Sequence, residues 1–432
     1  MEKMVVLGGA PLYGEVSISG AKNSAVAILV AAIMVNGKCR IDNVPHVSDI
    51  DVLIEIINNL GGKAGFVGHG VVEIDCSNLS NYEAGYETVR RIRASSYLMG
   101  ALLGRFSKAS VAMPGGCDFG VRPIDLHIKG FKALGANVNI EHGMVDLSAE
   151  KLIADNIYLD IVSVGATINI MMAAVFAEGT TVIDNAAKEP HIVDVANFLN
   201  CMGANIRGAG TDVIRIKGVK ELHGGSFSVI PDQIEAGTFM IAAAATRGDV
   251  TVTNIIPEHM ESLSAKLLEM GVGIEEMDDA IRVYVKDDAP YHSTNIKTQP
   301  HPGFPTDLQP QILTLLSVAD GTSIVTEGVW DNRFKYTGEL SRMGAIVSVD
   351  GRIATVEGVP YLTGAPVSAT DLRAGAALVI AGLMAHGVTE IYNLKYIDRG
   401  YEGFEDKLRK IGAQIARRSS DKEVNSAETT TA

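Results

Sequence analysis

Cysteine is scarce in this chain: four in 432 residues, at Cys39, Cys76, Cys117 and Cys201. They form no CxxC pair and have no histidine partners at zinc intervals, which argues against a disulfide scaffold and a zinc module. Aromatic residues make up only 6%, with a single tryptophan. Basic residues are outnumbered, 37 against 51 acidic, for a formal charge of −14. Nucleic acid and anionic membrane both need clustered basic surface, so neither is an expected partner. An anionic small substrate stays open, provided a local basic pocket exists. No apolar run is long enough to cross a bilayer. The opening "MEKMVVLGGA" lacks the charged-then-apolar order of a secretory signal, so the expectation is a cytoplasmic protein with reduced thiols.

What the chain does have is repetition. A helix end, a glycine, a small residue and a strand recur in "NNLGGKAGF", "KALGANVNI", "NCMGANIRG", "LEMGVGIEE", "SRMGAIVSV" and "RKIGAQIAR". The landmark glycines are Gly61, Gly135, Gly203, Gly271, Gly344 and Gly412. A glycine there supplies the left-handed cap that lets a helix reverse into a strand. A second pattern alternates with the first: a small-residue apolar helix, usually a glycine, then a β-branched strand. "NSAVAILVAAIMVNGKCRI" and "AGAALVIAGLMAHGVTEI" are examples, and only "SSYLMGALLGRFSKASVAM" lacks the turn glycine. A helix with no polar face must be buried on every side. The expected fold is therefore α/β with helices inside and sheets outside, in six units that divide three and three. A solenoid is the alternative architecture. The polar tail from Arg417, "RRSSDKEVNSAETTTA", reads as disordered, residues 417–432.

Several turns carry candidate chemistry. Lys22 and Asn23 lie in "SGAKN", where a strand-like segment meets an apolar helix whose start favours an anion. Arg93 precedes another apolar helix. "MPGGCDFGVRPIDLHIKG" sets Cys117 in a glycine-rich loop stiffened by Pro114 and Pro123, with Asp118, Arg122, Asp125 and His127 close by. A thiolate beside Arg122 would be a nucleophile, and the thiol form a general acid. An ordinary loop with an incidental cysteine fits the same residues. Asp307 in "HPGFPTDLQPQI" is either a helix cap or a general base. Arg333 beside the tryptophan, Asp371 and Arg373 in "ATDLRAGAAL", and Arg399 in "YIDRGYEGFEDKL" complete the set. Each alone could be a salt-bridged surface group; together they suit a doubly anionic ligand.

The turns "SGAKN", "RAS", "PGGCDFGVRPIDLH", "VSVGAT", "EAGTF", "HPGFPTD", "NRF", "ATDLRA" and "DRGYE" occur in this order. They resemble the signature turns of the UDP-N-acetylglucosamine 1-carboxyvinyltransferases, the enolpyruvyl transferases that open peptidoglycan precursor synthesis. The resemblance runs from about residue 4 to 416, and the cysteine loop is its most specific element. It implies an inside-out α/β prism (barrel) with two domains of three βαβαββ-type repeats. Their expected extents are 22–230, with the Cys117 loop as lid, and 1–21 with 231–416.

The resemblance also implies roles. Phosphoenolpyruvate would be held by Lys22, Arg122 and Arg399, since guanidinium forks match carboxylate and phosphate oxygens. UDP-N-acetylglucosamine would meet Asn23, Arg93, Arg122, Pro123, Ile124, Asp125, Leu126, Ser163, Val164, Gly165, Asp307 and Val329. Arg333 and Arg373 are counted with the substrate-binding cations. Asp307 would take the proton of the attacking sugar 3-hydroxyl. Cys117 would protonate C3 of phosphoenolpyruvate and can form a covalent adduct with it, and Asp371 would join the second proton transfer. No metal or cofactor is implied, and a monomer is expected. Two positions depart from some members, which carry lysine at Ile161 and arginine at Gln233. A sister activity on another acceptor, shikimate 3-phosphate, and a catalytically silent paralogue are the alternatives.

Overall fold

The computed structural model of the chain describes residues 2–89, 91–113, 124–286 and 290–419. It resolves into two compact units: Gly20–Ile230, and a second one made of the segment up to Ser19 together with the chain from Pro231 onward. The observed crossings lie between Ser19 and Gly20 and between Ile230 and Pro231. Gly20 sits on the far side of the first crossing because it packs on its own unit: a Cβ there would stand 1.7 Å from the Asn43 carbonyl oxygen. In that unit the Ala21 N–H donates to Ile230 O at 2.7 Å, while in the other Asp232 N–H donates to Ser19 O at 2.9 Å.

Each unit is an inside-out α/β prism built from three four-stranded sheets and three buried helices. One repeat shows the plan. Strand Asn156–Tyr158 leads into the buried helix Val164–Ala174 and then strand Thr180–Asp184, which pairs parallel to the first. The amphipathic helix Pro190–Cys201 follows, and the hairpin Asn205–Arg207 and Val213–Lys217 closes the sheet in antiparallel register. Helices Lys22–Ala31 and Tyr97–Phe106 are the other two buried helices of this unit. Gln233–Ala245, Gln309–Leu316 and Leu372–Met384 are those of the second. Their middles are buried all round, and in most of them alanine and glycine let neighbouring backbones approach closely.

All six landmark glycines take positive φ, between 87° and 104°. Where the second repeat lacks a turn glycine, Ser107 adopts the left-handed conformation itself, at φ 53°.

Three sheets are completed by distant segments. Tyr13–Ser17 pairs parallel to Asp249–Thr253, His223–Ser228 pairs parallel to Asn36–Asp42, and Glu2–Leu7 inserts between Val388–Tyr392 and Gln414–Ser419. The last pairing corrects the tail expectation at its near end. Arg417, Arg418 and Ser419 are strand, in register through Glu2↔Ser419. The reason is electrostatic: the Arg417 guanidinium grips Asp398 at 2.6 and 3.0 Å and Glu405 at 2.8 Å. Composition alone registers only that the stretch is polar. The rest of the tail lies outside the described residues. No helix among the described residues is long and apolar enough to cross a membrane.

Candidate functional site

In both units several of the polar side chains singled out by sequence lie where buried helices begin. In the Gly20–Ile230 unit, Lys22 occupies the first position of its helix. Its Nζ lies 2.7 Å from Asp49 Oδ2, with the lysine side chain 14% exposed and the aspartate 3%. Asn23 follows it, half-buried. Arg93 opens the short helix Arg93–Ser96 that leads into Tyr97–Phe106. Ser163 caps the third buried helix, its Oγ accepting from Ala166 N–H at 3.3 Å, with Val164 and Gly165 in the first turn. Ile124 is buried; Asp125 and Leu126 start the helix Asp125–Ala133.

One buried hydrogen-bond chain ties two of these helices together. Asn169 Oδ1 accepts from Gly100 N–H at 2.8 Å, which orients the amide. Its Nδ2 then donates to Ser96 O at 3.0 Å and to His127 Nδ1 at 2.8 Å. His127 Nδ1 is thus an acceptor, and the proton of the neutral ring belongs on Nε2. That edge of the ring lies against Gly165: an added Cβ would meet Nε2 at 3.2 Å and Cε1 at 3.1 Å.

The other unit is richer in charge. The carboxylate of Asp307, in the turn Thr306–Leu308, sits between two guanidiniums. Arg333 Nη2 lies 3.3 Å from Oδ1, and Arg373 reaches Oδ2 through Nη2 at 3.0 Å and Nε at 3.1 Å. Both arginines are 4% exposed, whereas Asp307 keeps 30% of its side chain open. Burial works against the Arg373 charge, but Asp307 with Tyr401 and Asp232 more than offsets it, so its pKa rises. The Arg373 guanidinium lies over the Tyr401 ring, 5.4 Å from its centroid. The buried Tyr401 phenol is shifted up by desolvation and hydrogen-bonds with Thr238 at 2.9 Å and Gln311 at 3.3 Å. Asp371 caps helix Leu372–Met384, accepting from the N–H groups of Arg373 and Ala374. The two aspartates differ: Asp371 is a helix cap, while Asp307 makes ion pairs.

Arg399 ends the helix Leu394–Arg399 and is half-buried, two residues before Tyr401. Glu402, next to Tyr401, accepts from Ser19 Oγ at 2.5 Å. Val329 donates its N–H to Glu327 at 2.9 Å. Cys117, Arg122 and Pro123 lie outside the described residues. Sequence reading missed Asp49 and Tyr401. Asp49 looks like an ordinary first-turn acid of its helix, and only the fold brings it to Lys22. Tyr401 stood inside the "DRGYE" motif, yet nothing local marks it as the platform for a guanidinium from another repeat.

The sequence model of the EPSP synthase (3-phosphoshikimate 1-carboxyvinyltransferase) family matches residues 6–408. The chain belongs to the enolpyruvyl transferase family. Among family members, it is 58% identical over 418 residues to the UDP-N-acetylglucosamine 1-carboxyvinyltransferase of Clostridium botulinum, covering 96% of this chain and 100% of that one. It is 60% identical over 418 residues to UDP-N-acetylglucosamine 1-carboxyvinyltransferase 2 of Clostridium acetobutylicum, covering 96% and 99%. Among solved structures, the enolpyruvyl transferase NikO from Streptomyces tendae superposes with a TM-score of 0.88 at 27% identity, over 97% of this chain and 99% of that one. EPSP synthase from Acinetobacter baumannii gives 0.75 at 17% identity over 97% and 100%, a likeness of fold alone.

Proposed function

We propose that this chain transfers the enolpyruvyl group of phosphoenolpyruvate to the 3-hydroxyl of UDP-N-acetylglucosamine and releases phosphate, the committing step toward peptidoglycan precursors. The observation that carries the reading is near-full-length identity of 58–60% to relatives named for that reaction. Likeness to shikimate-type enzymes among the solved structures stops at the fold.

The chemistry is addition followed by elimination. The sugar oxygen attacks C2 of phosphoenolpyruvate while a proton is delivered to C3, giving a tetrahedral adduct. Loss of phosphate from C2 and of a proton from C3 then leaves the enolpyruvyl ether. In our reading Asp307 accepts the hydroxyl proton. The clasp of Arg333 and Arg373 supports this role, because it fixes the carboxylate's direction while leaving part of it open. Cys117 donates the proton to C3, and Asp371 joins the return transfer. Lys22, Arg122 and Arg399 bind the anionic phosphoenolpyruvate and offset the charge of the departing phosphate. Asn23, Arg93, the segment Arg122–Pro123–Ile124–Asp125–Leu126, Ser163, Val164, Gly165 and Val329 receive the sugar nucleotide. Ile161, 71% exposed, stands where the family resemblance puts a nucleotide-reaching lysine in some members, and no such contact is expected from it here.

The cysteine loop acts as a lid that keeps water from the enol. The same reading has the enzyme working as a cytoplasmic monomer, and its described cysteines, Cys39, Cys76 and Cys201, are free thiols.

The test is direct. Protein mixed with both substrates should release phosphate and yield a product heavier by one enolpyruvyl group. Shikimate 3-phosphate in place of the sugar nucleotide should yield none. Nucleotide binding without turnover would support a silent paralogue. The epoxide phosphonate fosfomycin should alkylate Cys117, and inactivation that survives Cys117→Ser would remove the thiol from the mechanism.

A further inference from the structure

The strand Thr322–Thr326 ends at a glutamate to which no step above assigns a role. Glu327 is 1% exposed. It makes no ion pair among the described residues; its two oxygens are met by neutral donors. Its Oε1 accepts from Thr298 Oγ1 at 2.8 Å, Val329 N–H at 2.9 Å and Trp330 N–H at 3.0 Å. Its Oε2 accepts from Thr306 Oγ1 at 3.0 Å. These donors come from three stretches of chain: the exit of strand Ile296–Lys297, the turn Thr306–Leu308 and the turn after Glu327 itself. Thr298 also receives Gly328 N–H at 2.9 Å, so the arrangement is doubly closed. Thr306 O in turn accepts from Arg333 Nη2 at 3.4 Å, linking the cluster to the Asp307 clasp.

Burying a carboxylate without a cation is costly unless its oxygens are fully hydrogen-bonded. A carboxylate is acceptor-only with about four lone-pair sites, so it matches four converging donors where an amide does not. Two of the tethered positions, Asp307 through Thr306 and Val329 directly, are those the transfer reading assigns to the sugar nucleotide.

We propose that Glu327 is a positioning residue for the acceptor substrate, holding the Asp307 turn and the Val329 backbone in one register. It touches neither substrate. The inference rests on the transfer reading above and predicts a defect confined to one of the two substrates.

Steady-state kinetics with each substrate varied separately, alongside thermal unfolding, test it on full-length protein. E327A should lower kcat about 100-fold, since small misplacements near the reacting groups cost that much. Its KM for UDP-N-acetylglucosamine should rise roughly tenfold while that for phosphoenolpyruvate stays within about twofold. E327Q keeps one acceptor oxygen for the two turn N–H groups and can reverse the Thr306 bond, so it should recover about tenfold of the lost kcat. Where E327A yields no folded protein, E327Q and T306V decide: T306V removes only the Oε2 donor and should show the same one-sided KM change, about threefold.

Folded variants with both KM values and kcat near wild type would overturn the proposal. So would losses shared equally by the two substrates and tracking the fall in Tm. Wild-type protein that releases no phosphate sinks the transfer reading first, and this inference with it.

Discussion

The two units share one scaffold yet begin their buried helices with opposite chemistry. In the unit Gly20–Ile230, none of the three buried helices carries an acid in its first turn; they open on Lys22, on the turn Arg93–Ser96 and on the Ser163 cap. In the other unit every one opens at an aspartate: Asp232 and Asp371 as caps, Asp307 in the preceding turn. Sheets, landmark glycines and small-residue packing are alike in both. The repeat therefore sets where a candidate side chain stands, and the residue placed there sets its charge and its hydrogen bonds. Helix starts suit this use because their first N–H groups have no partner within the helix and so take side-chain or ligand partners.

The comparison breaks most sharply at Asp307. Asp307→Asn keeps shape but removes the carboxylate that both arginines hold, and kcat should fall about 10³-fold. Phosphate release measures it, and a variant within about tenfold of wild type would take the base role from Asp307. Next comes Asp49→Asn, which removes the buried carboxylate from the Lys22 helix start. KM for phosphoenolpyruvate should rise about tenfold, because without the buried carboxylate the ammonium loses the ion pair that orients it toward an anion. An unchanged KM would show Lys22 is oriented without Asp49. Gly165→Ala is milder. The new methyl crowds His127, and KM for UDP-N-acetylglucosamine should rise about threefold with kcat preserved, unless the ring shifts by a few tenths of an ångström and absorbs it.

The smallest effect on activity concerns stability. Asp194 is buried, and desolvation pushes its pKa up to about 6 despite the bonds it accepts from Ser24 and Ile230. Its protonated form is thus favoured by the fold. That contribution is complete below about pH 4, the unfolded value, and drains away as pH rises through 6. Asp194→Asn does not titrate, so its Tm advantage over wild type should grow between pH 4 and 7.5, worth roughly 2–3 kcal/mol at the upper end. A gap that ignores pH would mean Asp194 ionises equally well folded and unfolded.

Much of this was legible in the residues. The six glycines, the all-apolar helices and the ordered signature turns led to the repeat, the inside-out packing and the family without coordinates. Ser107 shows the limit of the pattern: a required left-handed turn is made there by a residue no glycine count would find. Arg417 shows the limit of composition, since a polar stretch becomes strand once Asp398 and Glu405 stand beside it.

From sequence alone come the repeat, the burial of its helices and the list of candidate turns, because periodicity and side-chain polarity act over neighbouring residues. Only the tertiary structure decides which distant strand completes each sheet, which arginines clasp Asp307, and that Asp49 meets Lys22 while Glu327 gathers four donors. Apart from the two N–H groups in the turn after Glu327, those are contacts between residues more than 20 positions apart, and no local pattern encodes the distance that makes a charge pair or a hydrogen bond.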